Sequence, residues 1–310
     1  NLLYSKFERY GEISFENRSF NEQGLFGQEK NHSSFTLSPE FYFESEDQNI
    51  SFTFKPKIRR DSKDDERNLF DIQDLSLIKV KNTHEIRIGI RRDFWGVTET
   101  VHRVDIINQT DQVDSFDGED KLGQPMLNLS LERDWGVLDL YALIGFRERT
   151  FAGKEGRLRA PFLIDTNSVM YESGAENLRT DFAFRWSQSY RDLELALSHF
   201  SGTAREPEII NKNENLKVPY YGIIDQTGLE ILYIVGGLAI KIEAITRSGQ
   251  DDRFSAATAG FEYTQIGILS SRLDLGWIAE FNYDDRYEKS PLALGTRLTF
   301  NDIHDSQILS

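Results

Sequence analysis

Charged side chains recur at every second position over long stretches of this chain, and any chemistry it performs must start from that spacing. Arg87 and Arg91 share one side of "EIRIGIRR", and Lys55, Lys57 and Arg59 share one side of "ISFTFKPKIRR". Glu230, Lys241 and Glu243 do the same within "GLEILYIVGGLAIKIEAI", as do Arg272, Asp274 and Glu280 in "RLDLGWIAEFNYDD". Glu40, Glu44, Glu132, Arg147, Arg185, Glu262 and Arg297 take equivalent places elsewhere. Facing charges of opposite sign set up a transverse field that selects ions or dipolar solutes. In a narrow space the same groups must pair, because a charge stranded away from water is costly. Two readings therefore stand: a basic ladder opposite acidic positions, or internal salt bridges that hold a narrow interior shut.

Other chemistry is poorly represented. The chain has no cysteine, hence no disulfide framework and no thiolate ligand or nucleophile. Its histidines, His32, His84, His102, His199 and His304, are scattered, and none sits at HExxH spacing. There is no GxSxG elbow and no glycine-rich phosphate loop. The expectation is a protein that is not an enzyme and carries no cofactor. "DSFDGEDK" gathers Asp114, Asp117, Glu119 and Asp120 around Gly118 as a calcium candidate. Its spacing does not match the twelve-residue calcium loop, so a solvated acidic loop is the plainer reading. Lys154, Arg157 and Arg159 in "GKEGRLRAP" suit loop solubility, or bidentate contacts to lipopolysaccharide phosphates or an anionic solute.

The elements that must position these charges are strands. In residues 228–245, Leu229, Ile231, Tyr233 and Val235 alternate on one face, Gly236-Gly237 forms a tight turn, and Leu238, Ile240, Ile242 and Ala244 alternate again. Paired glycines between alternating runs predict a β-hairpin, since both turn positions accept positive φ. The pattern repeats in about fourteen segments of about ten residues, the length of a tilted bilayer-spanning strand. No run of apolar residues is long enough for a transmembrane helix. The connections alternate as well: "EDQN", "KNTH", "DWG", "SYRD", "GG" and "ILSS" are short, whereas 94–123, 152–178 and 201–227 are long and hydrophilic.

Short turns at one end and long loops at the other fit an outer-membrane barrel better than a soluble sandwich, although both alternate. Aromatics at strand ends (Phe43, Trp135, Tyr141, Phe151, Trp186, Tyr283, Phe300) suit interfacial girdles. With 36 basic against 51 acidic residues and a net charge of −15, the surface does not suit nucleic acid. "NLLYSKFERYGEISF" carries no basic start or apolar core, so any export leader has been removed or the protein is cytoplasmic. In the barrel frame the apolar face meets lipid and the charged face lines a lumen. Residues 94–111, "FWGVTETVHRVDIINQTD", then read as a partly helical insertion. Either it folds into the lumen, with Trp95, Glu99, Asn108 and Asp111 near a constriction, or it packs on the rim with Trp95 as an interfacial anchor.

Several stretches resemble a largely uncharacterised family of proteobacterial, porin-like outer-membrane β-barrels. They are "RIGIRRDFWGVTETVHRVDIINQTD" (87–111), "FRERTFAGKEGRLRAPFLIDTNSVMYES" (146–173), "HFSGTAREP" (199–207), "IKIEAITRSGQDDRFSAATAGFEYT" (240–264) and "ALGTRLTFNDIHDSQILS" (293–310). "WGVTET" followed by "IINQTD" is also similar to a short feature of barrels found beside RND-type export pumps. The resemblance implies an all-β transmembrane antiparallel barrel exported to the bacterial outer membrane, without an established cargo. Family members continue with further strands, so the chain is expected to be a single barrel domain, 1–310, truncated at its C-terminus, with about sixteen strands when complete. The expected role is passage of small solutes, with outer-membrane lipid and lipopolysaccharide as surroundings. The alternative is a non-conducting barrel serving an RND-linked export or lipid-handling assembly, or a scaffold for another envelope protein.

Overall fold

A computed structural model describes residues 6–114, 118–213, 216–302 and 306–309. Asp117 and His304 lie outside the described residues. The chain folds into one fifteen-stranded sheet in which each strand pairs antiparallel with the next sheet strand along the chain. The first seven strands are β1 (Lys6–Ser19), β2 (Asn31–Glu44), β3 (Ile50–Asp61), β4 (Leu69–Lys81), β5 (His84–Arg91), β6 (Gln124–Arg133) and β7 (Gly136–Ile144). After a long connection carrying β8 (Leu163–Ile164) and β9 (Met170–Tyr171), the sheet resumes with β10 (Thr180–Tyr190) and β11 (Leu193–Thr203). A second connection holds β12 (Glu208–Asn211) and β13 (Leu216–Tyr221), which form a small separate sheet with β8 and β9. The remaining strands are β14 (Ile223–Val235), β15 (Leu238–Ser248), β16 (Phe254–Gln265), β17 (Asp274–Asp284), β18 (Leu292–Thr299) and β19 (Gln307–Leu309). No helix among the described residues is long and apolar enough to cross a membrane.

The strand spans correct two sequence boundaries. Residues 201–203 still pair with β14 and residues 223–227 already pair with β11, so the connection expected at 201–227 is shorter. The segment 94–111 contains no helix. Its backbone donors bond to the carboxylates of distant strands instead, which removes the need for internal helical bonds.

The two faces of the sheet are chemically opposite. Along one registered row run Ile13, Leu37 and Ile58; along another, Ile88, Leu127 and Ala142. Ile13, Ile58, Ile88, Leu127, Phe182, Leu197, Ile240, Phe261, Trp277 and Phe281 all stand uncovered by protein on this outer face. The rows between them are polar: Glu230 pairs with Glu243, and Glu243 with Thr258. Glu230, Glu243, Thr258 and Glu280 are buried. A soluble sheet buries its apolar side, whereas here the carboxylates are inside and the phenylalanines outside. Only a hydrocarbon solvent makes that arrangement favourable.

The Gly236-Gly237 turn forms, with Gly236 at φ 59°, but Gly237 is not in the left-handed region. A β-carbon on Gly237 would approach Thr264 O at 2.7 Å, so the second glycine is required for close approach. Tyr141 departs from the girdle expectation. It faces inward, buried, with its ring edge-on to Trp95 at 5.6 Å.

Candidate functional site

The inward-facing segment after β5 is the centre of the molecule. Its two ends are held together by Asn108, whose amide donates to Arg91 O and Leu122 O at 2.8 Å each and accepts from Asp93 N at 2.9 Å. The chain between reaches the far wall. Glu243 on β15 accepts from Val97 N (2.7 Å), Thr98 N (2.9 Å), Thr98 Oγ1 (2.7 Å) and Val104 N (3.2 Å). Glu280 on β17 accepts from Glu99 N and Thr100 N at 2.8 Å each and from Thr100 Oγ1 at 2.6 Å. Two buried carboxylates thus satisfy a stretch of irregular backbone that has no ladder of its own. Charge-assisted bonds of this kind are the strong ones.

Apolar packing seats the rest. Val104, Ile106 and Ile107 share a buried cluster with Trp95, Met126, Tyr141, Leu143, Phe200, Ile224 and Ile245. The inner wall is small where the segment lies: a β-carbon on Gly228 would come within 2.8 Å of Val104 Cγ1. Trp95 therefore belongs to the seam between segment and wall, neither an interfacial anchor nor a side chain in the passage. Asn108 and Asp111 are likewise buried in the segment's base, where Asp111 accepts from Thr150 Oγ1 at 2.7 Å. Glu99 is the member of the expected quartet that stays half exposed, bonded to Lys241 Nζ at 2.5 Å.

The other predicted wall residues are mostly paired. Arg185 grips Glu230 with two bonds of 2.8 Å. Lys241 also meets Glu262 at 2.9 Å, and Arg297 reaches the other oxygen of Glu262 at 3.4 Å. Arg87 pairs with Glu85 and contacts Asn128 at 3.2 Å, while Arg91 pairs with Asp93 at 3.0 Å. Arg147 lies beyond the end of β7 and reaches back to Asp71 at 2.8 Å. Asp274 accepts from Asn301 at 2.8 Å at the short-turn end. Arg272 is exposed in the turn before β17, because the strand begins only at Asp274; it does not line the inner face.

Of the calcium candidate, Asp117 lies outside the described residues, and Asp114 and Glu119 are seen in other company. Asp114 pairs with Lys57 and Arg59 on β3, Glu119 lies 3.5 Å from His102, and no metal-binding group of three His, Asp or Glu side chains forms among the described residues. Burial alone would raise the Asp114 carboxyl, but Arg59 and Lys57 outweigh it and hold it below the ordinary aspartate value. Asp105, inside the segment, is pushed up by burial although Lys121 sits 3.1 Å away. Arg157 and Arg159, candidates for external anions, instead stack over Phe20 and Phe26 at 4.3 and 4.0 Å and tie their loop to residues 20–28.

Sequence reasoning missed Thr98, Thr100 and Arg103, the last bonded to Asp284 at 3.3 Å and Thr258 at 3.2 Å. Their partners lie 145 to 181 residues away along the chain, so no local spacing announces them.

No protein-family model matches the chain, and no curated protein matches it. Solved structures do. An anion-selective porin from Comamonas acidovorans aligns over 96% of this chain and 84% of its own, at 8% identity and TM-score 0.51. OmpT, an outer membrane protein of Vibrio cholerae, aligns over 95% and 83% at 10% identity and TM-score 0.45. The first likeness concerns the fold, and it agrees with the inverted faces: this is an all-β transmembrane barrel of the bacterial outer-membrane type.

Proposed function

We propose that the protein is a porin-like channel that passes small solutes across the outer membrane, and that residues 94–123 narrow its lumen. The observation that carries this reading is the anchoring of Val97–Thr100 onto Glu243 and Glu280. A segment leaving β5 crosses to β15 and β17, and so occupies interior space. The paired lumen charges favour a wall that stays hydrated and near neutral locally, along which a solute moves by exchanging weak contacts. The anion-selective character belongs to the Comamonas protein by name; here selectivity would follow from which charges remain exposed.

Single-channel recording in a planar bilayer tests it. The folded protein should give stable conductance steps. Arg87→Ala with Arg91→Ala should shift selectivity towards cations, because Glu85 and Asp93 lose their partners. Silence from a demonstrably folded barrel would sink the channel reading and favour the scaffold or export-assembly role.

A further inference from the structure

On the long-loop side of the inserted segment lies a cavity of about 270 Å³ with an unbalanced lining. Arg103, Lys121, Arg149, Arg205, Arg247 and Arg286 contribute cations, whereas Asp105, Glu119 and Glu206 contribute the carboxylates. The acids are shared out unevenly. Asp284 serves both Arg103 at 3.3 Å and Arg286 at 2.8 Å. Glu206 meets Arg247 at 3.2 Å, and Asp105 meets Lys121 at 3.1 Å. Arg205 is fully engaged elsewhere, with Ile107 O, Thr203 O and Asp181.

Arg149 stands apart. Its Nε donates to Gln109 Oε1 at 3.3 Å and its backbone N–H donates to Tyr221 Oη at 2.9 Å. Among the described residues no carboxylate forms an ion pair with its guanidinium. Burial lowers its pKa from the ordinary arginine value, and Glu206, beyond ion-pair distance, offsets that cost only in part. The other polar groups of the lining are already engaged: Arg286, its Cζ 3.7 Å from the Phe254 ring centroid, gives Nε and Nη2 to Asp284 at 2.9 and 2.8 Å, and Asn108 gives its amide to Arg91 O and Leu122 O. That leaves the Nη groups of Arg149 as the donors for a guest.

We infer that this cavity is a binding subsite for a small oxyanion, a phosphate or carboxylate group carried by a solute, with Arg149 as its principal donor. The guanidinium fork matches two oxygens of such a group at once, and neighbouring cations raise the local anion concentration. The inference deepens the channel reading, since it gives the mouth of the lumen a preferred solute class. Bound anions would sit directly above the segment pinned by Glu243 and Glu280.

The test uses the full chain refolded in detergent without lipopolysaccharide, titrated calorimetrically with inorganic phosphate in a chloride background. Saturable binding is expected. Arg149→Ala should weaken it by about tenfold or more, the scale of a lost charge-assisted bond. Arg149→Lys should weaken it less, which guards against a variant that merely misfolds. Arg253→Ala, an arginine outside the cavity, should leave it unchanged. Equal loss from Arg149→Ala and Arg253→Ala would overturn the subsite, as would binding that appears only after lipopolysaccharide is added. A protein that conducts in bilayers but binds no phosphate disproves the subsite and leaves the channel standing. One that binds phosphate with Arg149 dependence but never conducts does the reverse.

Discussion

At the residue scale, the base of the inserted segment depends on one small ionic knot. Asp114 meets Lys57 and Arg59, and Arg59 is almost wholly buried with Asp111 at 3.8 Å as its second acid. Because Arg59 and Lys57 depress the Asp114 pKa below its unfolded value, its contribution to stability is present above the ordinary aspartate range. It is lost as pH falls through the folded value. Asp105 works the other way: its raised value means that stability is present at low pH and lost as pH rises through the folded pKa. Asp114→Asn should therefore destabilise the folded protein at pH 7 by about 1–3 kcal/mol, the scale of a bond to a charged group. The gap to the unsubstituted protein should close in strong acid, below the Asp114 value. Urea unfolding at neutral and acidic pH reads this directly; a gap that persists unchanged in acid would show that Asp114 acts by shape alone.

At the element scale, the inserted segment is fastened by two inward carboxylates on different strands, and that division invites a prediction. Glu243→Ala with Glu280→Ala removes the acceptors for Val97, Thr98, Glu99, Thr100 and Val104 while leaving the strand ladders untouched. The segment keeps its apolar seam at Val104, Ile106 and Ile107, so it should loosen at the tip and stay attached at the base. On the channel reading proposed above, conductance should become larger and noisier than that of the unsubstituted protein. Unaltered steps would mean that the tip does not border the passage. The same segment shows where the sequence stops being legible. The alternation at 229–235 and 238–244 gave β14 and β15 with their faces correctly assigned, because a period of two is a local property. Even the break in β4 is visible in retrospect. Phe70 and Ile72 share one parity and Leu75 and Leu77 the other, and a register shift opposite Lys55 and Pro56 reconciles them. Glu243 and Glu280 were likewise placed on the inner face. That they receive Thr98 and Thr100 was not legible, because those contacts depend on how the whole wall curves around the insertion. Arg272 was misassigned for a smaller reason: the alternation begins at Arg272, whereas the strand begins only at Asp274, after the turn that carries Leu269 and Ser270 at positive φ.

At the scale of the whole molecule, the decisive fact is the inversion of inside and outside, and it can be tested with two adjacent residues. Leu37, in the middle of β2, is registered between Ile13 and Ile58, two side chains that stand uncovered on the outer face. Ser38, the next residue, points the opposite way and is registered with Glu12, with Glu40 two positions further along the same face. An arginine at Leu37 must place its guanidinium in hydrocarbon. The cost for a cation near the bilayer midplane of a barrel is about 2–4 kcal/mol. An arginine at Ser38 enters a polar interior beside two carboxylates, one of which already holds Lys55 at 3.0 Å. It should cost less than about 1 kcal/mol, the range in which a partly screened ion pair offsets modest crowding. Refolding into lipid vesicles across a urea series compares Leu37→Arg with Ser38→Arg on one scale. A soluble sandwich would show the reverse order, since there the apolar row would be the core and the polar row the exterior. Equal costs would mean that neither face meets lipid. The order expected here requires both halves of the argument at once, a hydrocarbon solvent outside and a hydrated, charge-paired lumen within.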